Sequence, residues 1–308
     1  MKNIENVKLD LPLLKAKNVE LWIKREDKNH ELVSGNKLRK LKYNLVEAKR
    51  LTKKRLLTFG GAYSNHIVAT AAAGKEHGFE TIGVIRGDEL ALDLKRTFAQ
   101  NPSLQQAKEL GMQFKFISRS KYREKENNFF IKDLKKEFTD FYLIAEGGTN
   151  NLAVKGCEEI LTKEDKNFDY VACAIGTGGT ISGIVNSSKE HQKVLGFPAL
   201  KGDFHSELIK KYTKKENWEL VLDYHFGGFA KVNDELVSFL NTFYKQTAVP
   251  LDPIYTGKML FGLLDMIKNG YFAVNTKILA IHTGGLQGVR GINVHLKRKN
   301  QNMINYEN

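Results

Sequence analysis

Cysteine is nearly absent, two in 308 residues, which leaves little scope for a disulfide framework or a thiolate metal site. Cys157 and Cys173 follow no CxxC spacing and fall in segments that read as a helix and a buried strand, so two buried thiols and no metal are expected. No run of about 18 apolar residues occurs, so no membrane-spanning helix is expected. The start MKNIENVKLDLPLL lacks the apolar core and small-residue cleavage site of a signal peptide, and a soluble cytoplasmic protein with no membrane partner is the expectation. Prolines number only five, and there is no linker rich in Pro, Gly or Ser, no low-complexity tract and no clear internal repeat. What is present is an ordinary globular composition: 42% hydrophobic residues, enough to bury one large core or two coupled smaller ones.

A net charge of +13 suits an anionic partner, and a basic nucleic-acid-binding protein is the alternative from a different functional class. The distribution of the charge argues against nucleic acid. Lysines are scattered along stretches read as helical, VEAKRLTKKR, DLKKEF and IKKYTKKENWE, interleaved with acids as on solvated helix faces. Guiding an anionic cofactor or substrate is a weaker use compatible with the same charge.

Apolar strand-like runs alternate with longer helical patterns: RLLTFG then NHIVATAAAGKEHG, TIGVIRG then LDLKRTFAQNPSLQQAKELG, YVACAIG then TISGIVNSSKEH. This is the rhythm of βαβ units and predicts an α/β protein with open, twisted, mostly parallel sheets. KVLGFPA and KILAIHTGG supply further strands whose glycine or polar ends are where such a sheet presents its ligand crevice. Residues 51–155 hold their own βαβ series and read as a small α/β domain inserted into a larger one made of 1–50 and 156–308. A cleft between two such domains is a frequent small-molecule site.

Five segments can carry chemistry. In SGNKLRKL, Lys37 opens a helical pattern with Leu38, Leu41 and Leu45 on one face. A helix N-terminus and a low dielectric both disfavour the ammonium, as a Schiff-base lysine requires, although alone this is one lysine in a lysine-rich chain. In GGAYSNHIVATAAAG, a Gly60-Gly61 turn leads through Ser64, Asn65 and His66 into a small-residue helix, whose free N–H groups make a seat for carboxylate or phosphate; a plain capped helix has the same signature. In YVACAIGTGGTISG, an apolar strand runs into Gly176, Thr177, Gly178, Gly179 and Thr180. Glycines let several backbone N–H groups converge on one anion, and the threonines add hydroxyls. No Lys-Ser or Lys-Thr closes the loop as in a Walker motif, and no acid stands clearly about twenty positions on, so a monophosphate fits better than a dinucleotide, with a structural turn as the alternative. In LDPIYTGK, Tyr255 precedes a helix and would transfer protons if its pKa were lowered. In ILAIHTGGLQG, Thr283 follows a strand and can hydrogen-bond a ring nitrogen. A core tyrosine and a turn threonine are the plainer alternatives for these last two.

In this order and spacing, over about residues 8–290, SGNKLRKL, GGAYSNHIVATAAAG, GTGGTISG, YTGK and HTGG resemble the family that contains 1-aminocyclopropane-1-carboxylate deaminase and D-cysteine desulfhydrase, within the tryptophan-synthase-β-like pyridoxal-phosphate enzymes. The resemblance implies two α/β domains with pyridoxal 5'-phosphate between them, a small amino-acid substrate, and a homodimer. It further implies that Lys37 is the Schiff-base lysine, that Asn65 stands beside the cofactor's ring hydroxyl, and that Gly176 to Thr180 cradle the phosphate. Ser64 falls at the position that faces the substrate and binds it or handles protons, with Asn65 and His66 beside it, and Tyr255 matches the active-site tyrosine.

Two places bear on the reaction. Deaminases of the family carry Glu directly after the tyrosine and Leu after the histidine of the last motif; here those positions hold Thr256 and Thr283, as in the desulfhydrases. A carboxylate at the pyridine nitrogen keeps it protonated and makes the ring a strong electron sink, whereas a threonine hydroxyl does so poorly. Opening a cyclopropane needs more of that help than expelling a thiolate. The expectation is therefore a lyase releasing pyruvate, ammonia and sulfide from D-cysteine, with the cyclopropane deaminase as the alternative.

Overall fold

A computed structural model describes residues 4–202 and 204–307; residues 1–3, 203 and 308, included in the expected bounds 1–50 and 156–308, lie outside them. Two sheets organise the chain. The larger has six strands in the order β1 (Asn6–Lys8), β2 (Glu20–Lys24), β10 (Lys277–Ile281), β7 (Tyr170–Ile175), β8 (Lys193–Pro198) and β9 (Trp218–Leu220). The smaller runs β5 (Gln113–Ile117), β4 (Glu80–Arg86), β3 (Arg55–Gly61), β6 (Tyr142–Ile144). Every pairing is parallel except β1 with β2. All four strands of the smaller sheet thus lie between residues 55 and 144, and those of the larger sheet come from the flanking segments.

Central strands are apolar on both faces, as a sheet covered by helices on two sides requires. Along β7, Val171, Cys173 and Ile175 enter one core while Ala172 and Ala174 enter the other. On β10, Leu279 and Ile281 take the first side and Ile278 and Ala280 the second. Such continuous hydrophobic strands look alike from either face, and only the helices that cover them give direction to the fold.

The helix Asn36–Arg50 packs its expected face against the core that holds Leu56 of β3 and Ile144 of β6, burying Leu41 and Leu45 and, partly, Leu38, with Ala48 added to the same face. It packs against the helices Asn65–His77 and Asn151–Cys157. Its entry depends on Gly35, held at φ +70°, where a Cβ would stand 1.9 Å from the Thr283 carbonyl oxygen. A side chain there is excluded by both conformation and space. The close approach lets Asn36 N–H donate to Thr283 O at 3.2 Å, which fixes the helix start to the loop after β10.

Three helical expectations are corrected. The stretch LDLKRTFAQNPSLQQAKELG is two helices, Leu94–Gln100 and Pro102–Glu109, because Pro102 forces Asn101 into an extended conformation and Asn101 then caps the second helix. IKKYTKKENWE is helical only to Lys210; Trp218–Leu220 is the edge strand β9, so its lysines lie in the connecting segment. VEAKRLTKKR likewise leaves its helix at Arg50, and Arg55 already belongs to β3.

Candidate active site

The carboxyl ends of β3, β6, β7 and β10 lead into the loops that carry the expected residues, and contacts between those loops close a ring. Lys37 sits in the first turn of Asn36–Arg50, partly buried, with its amine 3.1 Å from Asn36 Oδ1. Burial first, and the neighbouring Lys40 ammonium second, bring its pKa down to about 7. Desolvation acts as expected, and Lys40 adds a second cause that the sequence reading did not include. An amine that titrates at about 7 keeps a substantial neutral fraction at pH 7 and is a competent nucleophile toward an aldehyde.

The neighbouring cation is fully enclosed. Lys40 donates to Gly147 O at 3.0 Å, to Thr149 Oγ1 at 2.9 Å and to Thr177 Oγ1 at 3.3 Å, while the two threonine hydroxyls meet at 2.5 Å. Thr177 belongs to the glycine loop, in which Gly178 adopts φ +81° immediately before the helix Gly179–Ser187. The first N–H groups of that helix have no partner within it and are available to an anion. Asn36 Nδ2 donates to Thr180 Oγ1 at 2.8 Å, tying the lysine-bearing helix to this loop. Positive charge, hydroxyls and converging amides are the donor set a phosphate monoester takes.

On the other side stand Ser64 and Asn65, at the start of the helix Asn65–His77. Ser64 occupies the N-cap place without using its hydroxyl to cap. Asn65 Nδ2 donates to Gly285 O at 3.3 Å, and its Oδ1 is buried without a protein partner. A buried, unpaired amide oxygen is costly, so a donor supplied by a ligand accounts for it. His66 is buried, its Nε2 2.8 Å from Thr58 Oγ1 and its Nδ1 without a hydrogen-bond partner among the described residues. Desolvation and the two lysines hold its pKa well below the ordinary value, which keeps the ring neutral.

Tyr255 stands at the N-cap of the helix Thr256–Lys268, its ring against Gly176, where a Cβ would come within 3.1 Å of Cε1. Burial and the nearby Asp252 raise its pKa, so the lowered value on which proton transfer was conditioned is not found. At neutral pH Tyr255 is a hydrogen-bond donor. Thr283 and Thr256 are both buried. The hydroxyl of Thr256 donates to Asp252 Oδ2 at 2.6 Å.

Sequence reasoning overlooked three of these groups. Lys40 lies three residues after Lys37, a spacing that puts both on one helix face. Asp252, fully buried, accepts from the N–H groups of Ile254, Tyr255 and Thr256 and so orients the tyrosine; an Asp-Pro pair before a helix is a recognisable turn and cap signal. Thr149, after β6, carries no signal apart from its neighbours. Cys157 and Cys173 are buried free thiols as expected, with burial pushing Cys157 up to about 11. Among the described residues no group of side chains is arranged to hold a metal, and no helix is long and apolar enough to cross a membrane.

Residues 5–284 match the family of pyridoxal-phosphate-dependent enzymes. The chain belongs to that family. Pyridoxal phosphate is thus its cofactor, and the pocket fits the group: an amine at Lys37 whose pKa is brought down to about 7, a phosphate-type donor set around Gly178, and an unpaired amide oxygen on Asn65. A putative 1-aminocyclopropane-1-carboxylate deaminase of Pyrococcus horikoshii is 30% identical over 294 residues, covering 87% of this chain and 85% of that protein. The mitochondrial bifunctional D-cysteine desulfhydrase/1-aminocyclopropane-1-carboxylate deaminase of Arabidopsis thaliana is 32% identical over 295 residues, 88% of this chain and 73% of its own. A solved structure described as an ACC deaminase homologue superposes with a TM-score of 0.80 at 27% identity, over 97% of this chain and 93% of that one. Threonine deaminase isoform 2 from Solanum lycopersicum, at 19% identity and TM-score 0.62, shares the fold. The chain is therefore a fold-type II enzyme of the group that includes these deaminases and desulfhydrases.

Proposed function

We propose that this enzyme is a D-cysteine desulfhydrase, converting D-cysteine and water to pyruvate, ammonia and sulfide. The observation that carries the reading is the pair of buried neutral threonines, Thr256 and Thr283, where deaminases of the family place Glu and Leu. A carboxylate partner for the ring nitrogen is not offered from either position. When bound, pyridoxal phosphate supplies a sink for the electron pair left as the Cα–H bond breaks.

The chain's own residues do the rest. Lys37 would hold the cofactor covalently, and its amine, titrating at about 7, would be the base for the α-proton once free. Ser64 and Asn65 are positioned to bind the substrate carboxylate at a helix N-terminus. The amides from Gly176 to Thr180, with Thr177 and Lys40, would hold the phosphate. Tyr255, protonated, would donate a hydrogen bond toward the substrate, and His66, its Nδ1 unpaired, belongs to the same substrate-binding group. Sulfide leaves from Cβ, and the released aminoacrylate hydrolyses. The small inserted domain at 51–155, the larger one at 1–50 and 156–308, and a homodimer belong to the same reading; the confinement of the four-stranded sheet to residues 55–144 supports the division.

A second reading, 1-aminocyclopropane-1-carboxylate deaminase, is favoured by the Pyrococcus relative, described as a putative enzyme of that kind, while the Arabidopsis relative is described as carrying both activities. Steady-state assays with both amino acids separate the two. Sulfide and pyruvate from D-cysteine, with little 2-oxobutanoate from the cyclopropane substrate, is the expected outcome; the reverse preference overturns it.

A further inference from the structure

The segment from His225 to Lys231 is two consecutive tight turns, closed by Gly228 N–H to His225 O at 3.0 Å and by Lys231 N–H to Gly228 O at 3.2 Å. It is conformationally costly. Four of its residues hold positive φ: Phe226 at +53°, Gly227 at +85°, Gly228 at +116° and Ala230 at +55°. For Phe226 and Ala230 that region is disfavoured by their own Cβ atoms and persists only where surroundings enforce it. The enforcing group is on another element. Lys258, in the helix Thr256–Lys268 and only 2% exposed, donates to His225 O at 2.9 Å and to Gly228 O at 2.8 Å. Those are the same two carbonyls that close the turns.

One ammonium thus caps both turns at once, and the order of residues makes the consequence local. Phe229 lies between the turns, half exposed, with its ring 6.1 Å from that of Tyr255 and nearly edge-on to it. Tyr255 is three residues before Lys258, so the helix that presents the tyrosine also holds the loop whose phenyl ring faces it. Phe226, in the first turn, packs edge-on against Phe261 of the same helix at 4.9 Å, a second and apolar attachment. Burial lowers the Lys258 pKa to about 8 while Asp252 opposes that shift, so the group is still largely charged at neutral pH, where its bonds to carbonyl oxygens are charge-assisted.

We propose that Lys258 is a positioning residue that pins the 225–231 double turn and thereby holds Phe229 against Tyr255 as a wall of the substrate side of the site. Its place on the substrate side rests on the reading of Tyr255 given above; the pin itself does not. The group acts on binding of the amino acid rather than on the chemistry, since Lys37, Ser64 and the phosphate loop are on other elements.

The test uses holoenzyme of three variants. Lys258→Met keeps the buried stem and removes the donors, Lys258→Arg keeps a cation, and Phe229→Ala removes the wall at a half-exposed position where folding is not at risk. Lys231 is exposed and is the last residue of the second turn, so tryptic cleavage after it, followed by mass spectrometry, reports loop release without any substrate. Lys258→Met is expected to raise cleavage after Lys231 by about tenfold and the KM for D-cysteine by a similar factor, with kcat changed by less than about threefold. Lys258→Arg is expected to restore part of the protection, and Phe229→Ala to raise KM without exposing Lys231. Cleavage and KM both unmoved in Lys258→Met overturn the proposal. If that variant does not fold, an unchanged KM in Phe229→Ala overturns it. Should the parent not turn over D-cysteine, the reading of the substrate fails, while the cleavage comparison still decides whether Lys258 pins the loop.

Discussion

Lys37 and Lys40 stand one helical turn apart, and the ammonium of Lys40 is one of the two causes that bring the Lys37 amine to about 7. Lys40 itself is lowered by burial, yet it remains hydrogen-bonded to three oxygens from two loops. The pairing joins two tasks in one helix face. A cation that fits a phosphate also disfavours a second cation three residues away, so the residue that helps seat the cofactor prepares the amine that attaches to it.

The rate at which apoprotein takes up pyridoxal phosphate should consequently rise with pH through about 7, far below the ordinary lysine value of 10.5. Lys40→Met removes the positive neighbour and is expected to move that midpoint upward by roughly half a unit to one unit. Stopped-flow absorbance of reconstitution against pH measures both; coincident midpoints would show that the Lys40 charge is not felt at Lys37. The sign for stability follows from the same shift. Between about 7 and 10.5 the unfolded chain carries a proton that folded Lys37 has lost, so this residue makes apoprotein stability rise with pH across that window.

Lys37→Ala should abolish turnover and leave the fold intact. The side chain is partly buried, makes one hydrogen bond to Asn36 and contributes an unfavourable burial of charge, so its loss is expected to change Tm by no more than a few degrees. Cofactor should remain, held through its phosphate, but no longer be trapped on the protein by borohydride. Near-normal activity in this variant would remove the central assignment.

Gly178 separates shape from charge. At φ +81° any side chain there is strained, by about 1–2 kcal/mol, and a Cβ would stand 3.0 Å from that of Leu208. Gly178→Asn and Gly178→Asp share this strain and differ only in charge. Both apoproteins should lose similar stability, whereas cofactor affinity, measured by equilibrium dialysis, should fall at least about tenfold further for Asp. Equal affinities in the two variants would mean that the loop is a turn and seats no anion.

Much of this site was legible because it is assembled from strand ends. An apolar run followed by glycines and hydroxyls marks where a parallel sheet opens to ligand, and the places of Asn65, Gly176 to Thr180 and Thr283 follow from that pattern, that of Lys37 from a helix start, each with the family resemblance. The remainder needed distances. Asp252 and Thr149 act through hydrogen bonds to segments distant in the chain or hidden within a turn, and nothing in their immediate sequence says where those partners lie. The mistaken helix in IKKYTKKENWE has a different origin. Its alternating lysines and acids are compatible with a solvated helix face, but β9 pairs with β8, and that tertiary hydrogen bonding outweighs local helix propensity.

The threonine pair carries the sharpest test of reaction choice. Thr256→Glu with Thr283→Leu recreates the deaminase pattern, placing a carboxylate near the ring and removing a competing hydroxyl. A protonated ring should result, better able to stabilise carbanionic charge, so sulfide release from D-cysteine should fall and some 2-oxobutanoate should form from the cyclopropane substrate. The structure gives a reason for the gain to be small. Thr256 is completely buried and donates its hydroxyl to Asp252 Oδ2, so glutamate there loses that bond and brings a second carboxylate toward the first. Burying the new charge costs several kcal/mol unless the ring proton pairs with it. Apoprotein of the double variant should therefore melt well below the parent, and added cofactor should recover part of the difference, because only the bound ring offers the compensating proton. The deciding quantity is the ratio of the two activities in double variant and parent, each fully loaded. With structure and cofactor content normal and that ratio unmoved, Thr256 and Thr283 would not select the reaction, and the preference for a desulfhydrase over a deaminase would lose its main support.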